Sequence, residues 1–426
     1  MKPSLLNKLK RNNFTTGIVG LGYVGLELMT LISKKNLNLY GFEKNILKIN
    51  KLKKKISPIN TIDNKRLNKL NSNQIFDLKN INKISDCDVI IICLPTPLKK
   101  NLNPENSYLE KIIKLITKFL REEQMIIIES TVYPYATKEI FENKLSKKFN
   151  IGKNFYLGFS PERVSPGQHE LTKYSNITKL VSGRTKKCIK NVDLFYKKIF
   201  KYVYKCQSIE IAEFTKLYEN SYRAVNIGLA NQMKRLCDKM NINIFDVIKA
   251  AETKPFGFKP FYPGPGVGGH CIPVDPLFLS YTAKKLNTNL DFILLARKVN
   301  LDITNWVIDK VKKGLKTRDR ILLMGIAYKK NVDDTRHSPV VTMLDKLSKS
   351  YNVKYFDPFV ENVKIKNKLF KSIKKLNYQE LSKYSAVIIT TNHDEFNYKK
   401  ILKYSKKIFD TRGVYQGQKN KKIVFC

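Results

Sequence analysis

At 426 residues the chain exceeds what one ordinary core fills, so two or three domains are expected, and the sheet and helix signals favour three. No window approaches the roughly 20 apolar residues of a membrane span, and the opening MKPSLLNKLKRNNF lacks a signal peptide's hydrophobic run, so a cytoplasmic location is expected. The formal net charge of +43 is spread along the chain, dense only near residues 51–55, and without a nucleic-acid-binding signature it predicts no specific DNA or RNA partner, though it can gather an anionic substrate.

Residues 16–19 form a short apolar strand running into Gly20-Leu21-Gly22-Tyr23-Val24-Gly25, which opens a helical pattern to about residue 33. A second strand, 37–42, ends at Glu43, close to where a dinucleotide fold places the acid that binds the adenosine ribose. The glycine spacing alone is weak, and a tight turn with a surface glutamate has the same letters. Strand, glycines, helix, strand and acid in succession are strong. A carboxylate at Glu43 repels a ribose phosphate, which favours NAD over NADP.

The continuous apolar run 88–93 reads as a parallel strand buried on both faces, ending in Leu94-Pro95-Thr96-Pro97. Residues 125–129 repeat the arrangement and end in Ser130-Thr131. Thr96 and Thr131 then lie where such sheets bind ligands, although lone threonines also serve as turn or capping residues. A further strand, 155–159, leads into Ser160-Pro161-Glu162-Arg163-Val164. By itself that segment reads as a loop with a solvated ion pair.

Residues 208–240 are the longest helical stretch, with Lys216, Asn220 and Arg223 at i, i+4 and i+7 on one face. A charged outer face on a linker helix has the same spacing. Next, FYPGPGVGGHCIPVDP sets Cys271 behind Gly264, Gly266, Gly268 and Gly269 and four residues ahead of Asp275. The glycines suit close approach of backbone and ligand. Asp275-Pro276 reads as an N-cap and first helical residue, placing the thiol near a helix N-terminus that favours thiolate. A nucleophile and a buried free cysteine fit these residues equally. The seven cysteines are odd in number, scattered and without a CxxC pair, so neither disulfides nor a metal site is expected.

A connecting helix at 297–313 precedes a second α/β unit with strands at 320–326, 353–356, 386–390 and 407–409. It has no GxGxxG and should hold its ligand differently. After its first strand come Tyr328, Lys329, Asp334, Thr335 and Arg336, whose cations suit phosphate recognition. The fold class expected is α/β: two Rossmann-like doubly wound domains joined by a long central helix. The divisions fall at 1–205, 206–313 and 314–426.

The segments GGHCIPVDP, ESTVYP, SPER, AEFTKLYENSYRAVNIGLAN and GIAYKKNVDDTRHSP together resemble the UDP-glucose/GDP-mannose dehydrogenase family, over nearly the whole chain. In this family a UDP-sugar's C6 alcohol is oxidised to the acid. The resemblance implies that NAD contacts Gly20, Gly22, Tyr23, Val24, Gly25, Glu43, Thr96, Thr131 and Arg336. It implies that the UDP-sugar meets Arg163, Val164, Lys216, Asn220, Arg223, Gly268, Tyr328 and Lys329. The 1–205 portion is then the NAD-binding domain, 206–313 the dimerisation domain with the cysteine loop, and 314–426 the UDP-sugar-binding domain. One departure stands out: Tyr135 replaces the family's usual glycine after Val132-Tyr133-Pro134.

The implied chemistry uses two NAD per sugar. Hydride leaves C6, Cys271 adds to the aldehyde as a thiohemiacetal, a second oxidation gives a thioester, and water hydrolyses it. Lys216 and Asn220 donate to the alkoxide and oxyanion, Asp275 holds the lysine or orients water, and Glu162 with Thr131 positions the hydrolytic water. The stretch 254–259, with Pro255 and Gly257 where N-acetylmannosamine enzymes carry histidine and arginine, looks most like the UDP-N-acetylglucosamine 6-dehydrogenases of surface polysaccharide or O-antigen synthesis. UDP-glucose, UDP-N-acetylgalactosamine and UDP-N-acetylmannosamine remain alternatives, as does, from another class, a non-catalytic basic NAD- or nucleic-acid-binding protein. The family also implies a homodimer or higher oligomer.

Overall fold

The computed structural model describes residues 3–60, 62–163 and 177–426; Val164 lies outside the described residues. The chain divides into two compact units, Met1–Glu219 with Tyr281–Thr288, and Asn220–Ser280 with Asn289–Cys426.

The first unit is built on β1 (Thr15–Val19), β2 (Asn38–Glu43), β3 (Ile75–Asp77), β4 (Val89–Ile92), β5 (Gln124–Ile128), β6 (Phe155–Phe159), β7 (Lys179–Gly183) and β8 (Val203–Lys205). Their order is β3-β2-β1-β4-β5-β6-β7-β8, and only the β6–β7 pair is antiparallel. The first six strands follow the dinucleotide-fold order, with the switch point between β1 and β4. Every residue of β4 and β5 is buried, as strands covered by helices on both faces must be. Sequence patterning missed β3 and β8, which have three residues each, and β7, which opens on a lysine.

The second unit contains β9 (Arg320–Met324), β10 (Asn352–Phe356), β11 (Asn362–Ile365), β12 (Lys368–Lys371), β13 (Ala386–Ile389), β14 (Ile408–Asp410) and β15 (Ile423–Phe425). The main sheet runs β10-β9-β13-β14-β15, all parallel, and β11 with β12 makes an antiparallel hairpin. This is the 2-1-3-4-5 doubly wound order, with its switch point between β9 and β13. Side chains alternate between two cores: Ile321, Leu323, Ala386 and Ile388 pack on one face, Leu322, Met324, Val387 and Ile389 on the other.

The long helix, Ile209–Lys239, runs from the first unit into the second. In the second unit it lies against the helix Asp291–Lys313, so close at Gly228 that a Cβ there would stand 3.3 Å from the Ala296 Cα. Buried Asn231 donates to Asn300 Oδ1 at 2.9 Å and accepts from the Gly264 N–H at 3.1 Å, while Thr304 donates to the Pro265 carbonyl at 2.8 Å. Polar groups of the two helices thus pin the entry of the glycine loop that carries Cys271.

Candidate active site

In the first unit the glycines after β1 divide three tasks. Gly20 has a φ of +94° and lies so close to β4 that a Cβ would meet the Cys93 carbonyl oxygen at 2.6 Å. At Gly25, in the helix Tyr23–Ser33, a Cβ would fall 1.9 Å from the Gly20 oxygen, so only glycine lets helix and turn pack. Gly22 is different: a Cβ there meets nothing within 4 Å. A bare backbone facing open space at a helix N-terminus fits the pyrophosphate of a dinucleotide.

Glu43 is buried at the end of β2 and braces this turn. Its Oε2 accepts from the Leu21 N–H at 3.0 Å, and Oε1 accepts from Lys44 and Asn45 at 2.9 and 3.0 Å. Thr96 donates to the Thr131 carbonyl at 2.6 Å, and Ser130 Oγ accepts from the Leu94 N–H at 2.9 Å, tying the loops after β4 and β5 together. The expected cofactor residues of the first unit therefore gather at the carboxyl ends of neighbouring strands, with Tyr23 and Val24 opening the helix, whereas Arg336 belongs to the second unit.

The loop after β5 takes its path from a residue that sequence reasoning overlooked. Tyr135 has a φ of +75°, a conformation glycine adopts without strain. Glu213 of the long helix accepts from the Tyr135 N–H at 2.7 Å and from the Thr137 N–H at 2.9 Å, holding the loop despite the tyrosine. Burial pushes the Glu213 carboxyl up to about 7, partly opposed by those two donors.

Glu162 and Arg163 are not paired through their side chains. Arg163 embraces Glu219 of the long helix at 2.5 and 3.2 Å and donates to the Thr178 carbonyl, whereas Glu162 accepts the Arg163 backbone N–H at 2.7 Å and faces Lys179. Lys216, half-buried, stands on the long helix between Glu213 and Glu219 in the sequence.

In the second unit Asn220 donates from Nδ2 to Asp275 Oδ2 at 2.6 Å, and both are buried. The helix carrying Asp275 spans Asp275–Lys285, so proline stands second in it rather than first. The Cys271 carbonyl accepts from the Val274 and Asp275 N–H groups at 3.0 and 2.8 Å, which seats the cysteine one turn before that helix. Of the seven cysteines, all described, Cys271 is the exposed one.

The glycine pair before it makes room for protein. A Cβ at Gly268 would lie 2.6 Å from Tyr328 Cβ, and one at Gly269, where φ is +86°, 2.7 Å from the Tyr328 ring. The Gly269 N–H donates to the Arg336 carbonyl at 2.9 Å. Cys271, Gly268, Tyr328 and Arg336 are thereby brought onto two stapled loops, and Arg336 forms an ion pair with Asp334 at 2.6 Å. Burial, and after it the charge of Arg223, push the Lys329 ammonium down to about 8. Asp357, after β10, accepts from Ile326, Ala327, Phe359 and Val360 N–H groups and meets His393, locking the base of the Tyr328 loop. Neither Asp357 nor His393 was expected, although Asp357 follows its strand as Glu43 ends β2.

Residues 14–201 match the NAD binding domain of the UDP-glucose/GDP-mannose dehydrogenase family, residues 210–302 its central domain, and residues 322–417 its UDP binding domain. The chain belongs to this family. It is an NAD-dependent UDP-sugar dehydrogenase. Over 392 residues the dehydrogenase is 34% identical to a UDP-N-acetyl-D-glucosamine 6-dehydrogenase of Pseudomonas aeruginosa, covering 89% of this chain and 90% of that protein. It is 32% identical over 432 residues to a UDP-N-acetyl-D-mannosamine dehydrogenase of Methanococcus maripaludis, covering 96% and 95%. The solved UDP-D-ManNAc dehydrogenase of Pyrococcus horikoshii superposes with a TM-score of 0.82 at 27% identity, over 96% of this chain and 97% of that one.

The glycine geometry separates binding from folding in this dehydrogenase. Gly22→Ala should unfold as the wild type does but bind NAD weakly, while Gly25→Ala should lose about 3 kcal/mol of stability; thermal melts with and without NAD distinguish them. For Glu213 the folded-state pKa lies above the ordinary 4.5, so stability falls as pH rises from about 5 to about 7 and is level above that. Glu213→Gln should flatten that slope, on the order of 3 kcal/mol across the window, in denaturant unfolding at a series of pH values.

Proposed function

We propose that the dehydrogenase oxidises the C6 hydroxyl of UDP-N-acetyl-D-glucosamine to the carboxylate through a sugar covalently held on Cys271, for surface polysaccharide or O-antigen synthesis. The covalent reading is carried by the exposure of Cys271 beside the buried Asn220–Asp275 pair, whereas burial pushes the Cys87, Cys93 and Cys206 thiols up toward inert forms. Bound NAD supplies the hydride acceptor, needed twice because alcohol to acid removes four electrons.

The chain's own residues handle what lies between. The Cys271 sulfur adds to the C6 aldehyde to give a thiohemiacetal. At the thioester level of oxidation water adds, the carbon–sulfur bond breaks, and the acid leaves. Lys216 and Asn220 donate to the C6 oxygen as it gathers negative charge, and Asp275, by holding one amide hydrogen of Asn220, aims the other. Glu162 and Thr131 position the hydrolytic water. Arg223 and Lys329, with Tyr328, Gly268, Arg163 and Val164, receive the UDP-sugar, and Arg336 reaches the cofactor; a lysine and an arginine that feel each other's charge suit a diphosphate.

The functional division follows residues 1–205 for NAD, 206–313 for the cysteine loop and dimerisation, and 314–426 for the UDP-sugar. Pro255 and Gly257 lie in an exposed stretch, and the N-acetylglucosamine reading is supported by the resemblance of that stretch and by similarity to the Pseudomonas aeruginosa relative. Similarity to the Methanococcus maripaludis relative favours UDP-N-acetylmannosamine as the second reading. No helix among the described residues is long and apolar enough to cross a membrane, and we place the enzyme in the cytoplasm. Tyr218, Tyr222, Leu229, Met233 and Leu236 form an exposed apolar stripe at helical spacing along the long helix, which supports a homodimer.

With UDP-N-acetylglucosamine the enzyme should release two NADH per acid and turn over faster than with the other UDP-sugars; a higher kcat/KM for UDP-N-acetylmannosamine would reverse the substrate assignment. Cys271→Ser should lower acid formation by about 10³-fold or more while keeping NAD affinity. Leu229→Asp combined with Leu236→Asp should convert the dimer to monomer in sedimentation experiments, and an unchanged mass would remove that interface.

A further inference from the structure

Lys179, the first residue of β7, is 4% exposed and has no part in the chemistry described above. Its ammonium lies 3.0 Å from Glu129 Oε2 and 3.7 Å from Glu162 Oε2, and it donates to the Pro161 carbonyl at 3.5 Å. It therefore grips both the carboxylate of Glu162 and the backbone just before it. The Tyr196 hydroxyl donates to Glu129 from the other side, and the Tyr196 and Phe200 rings flank the ammonium at 5.2 and 5.5 Å from their centroids. Burial raises the Glu129 carboxyl above its usual range, with Lys179 opposing the shift.

A charged group taken out of water in this way is poor value as a stabiliser, since a well-packed apolar side chain of similar volume does as well or better. Retaining it at this place makes sense if the position and charge of Glu162 matter. The two carboxylates compete for one cation, and the anchored one, Glu129, is sealed from solvent, whereas the Glu162 side chain keeps 12% exposure. Glu129 and Tyr196 fix where the ammonium sits; the ammonium holds Glu162 Oε2 while the Arg163 N–H holds Oε1 at 2.7 Å.

We propose that Lys179 is a positioning residue that holds Glu162 in the orientation needed to aim water at the sugar thioester on Cys271. In that step water adds to the thioester carbonyl, the carbon–sulfur bond breaks, the sulfur takes up a proton, and the carboxylic acid is released. The proposal rests on the covalent reading given above and on Glu162 serving the hydrolytic water.

The test compares wild type, Lys179→Met, Lys179→Arg and Glu162→Gln in rapid-quench reactions with NAD and UDP-N-acetylglucosamine, read by NADH release and by intact-protein mass spectrometry. Lys179→Met should release its first NADH at close to the wild-type rate, then form acid about 10²-fold more slowly with the sugar adduct accumulating on the protein. Lys179→Arg should recover most of the loss. Thermal melts and NAD titration check folding, and if Lys179→Met alone is unstable, Lys179→Met with Glu129→Gln removes the buried pair together and should accumulate the same adduct. Wild-type turnover in Lys179→Met, or equal slowing of first NADH and acid release without adduct, overturns the proposal while Glu162→Gln still traps the sugar. Absence of adduct in every variant, Glu162→Gln included, overturns the covalent reading itself.

Discussion

Both sheets depend on one device, a carboxylate at the end of the second strand that accepts N–H groups from the turn after the first. Glu43 takes the Leu21 N–H, and Asp357 takes those of Ile326 and Ala327. A turn leaving a sheet at its carboxyl end presents donors that no ladder satisfies, and an anion answers them with charge-assisted bonds. The device is used to different ends. In the first unit it leaves Gly22 bare. In the second, the glycine after β9, Gly325, is covered by Thr391, which lies 2.4 Å from where a Cβ would stand. His393 adds its ring to Asp357, and because its Nδ1 accepts the Asn331 N–H at 3.0 Å, its proton lies on Nε2 toward the carboxylate. That edge therefore lacks the open glycine turn of the first unit.

Buried and half-buried charged groups likewise shape the loops around the cofactor edge. Glu213 holds the loop after β5, Lys179 joins the loops after β5 and β6, and Glu219 holds Arg163. Segments with few apolar residues of their own are kept in place by such bonds, which specify geometry more sharply than apolar packing does. In the second unit neutral amides play that part, with Asn231 and Asn300 fixing the start of the cysteine loop.

Much of this was legible in the sequence because local pattern and tertiary role coincide. The strand expected at 155–159 is β6, Phe155–Phe159, to the residue, and the helix expected at 208–240 is Ile209–Lys239. Runs such as Val89–Ile92 are apolar throughout because both faces are covered. Where the strand carries a buried charge, as β7 does at Lys179, the pattern misleads. The connecting helix begins at Asp291, a turn and a half before the expected 297, since Phe292 and Leu295 lie exposed and break its amphipathic rhythm. The glycine spacing before Cys271 was plain, but its purpose was not. The ring filling that space belongs to Tyr328, which lies far along the chain and only meets the loop through folding. Arg163 likewise found Glu219 in place of its neighbour for a reason no local window contains.

The distribution of thiols gives the molecule an internal counter. Cys87, Cys188, Cys206 and Cys426 are shut away from solvent, Cys93 and Cys237 are half covered, and Cys271 is open. An alkylating reagent therefore meets the seven in that reverse order, and the first equivalent consumed counts the accessible Cys271 thiols in a preparation without any substrate being turned over.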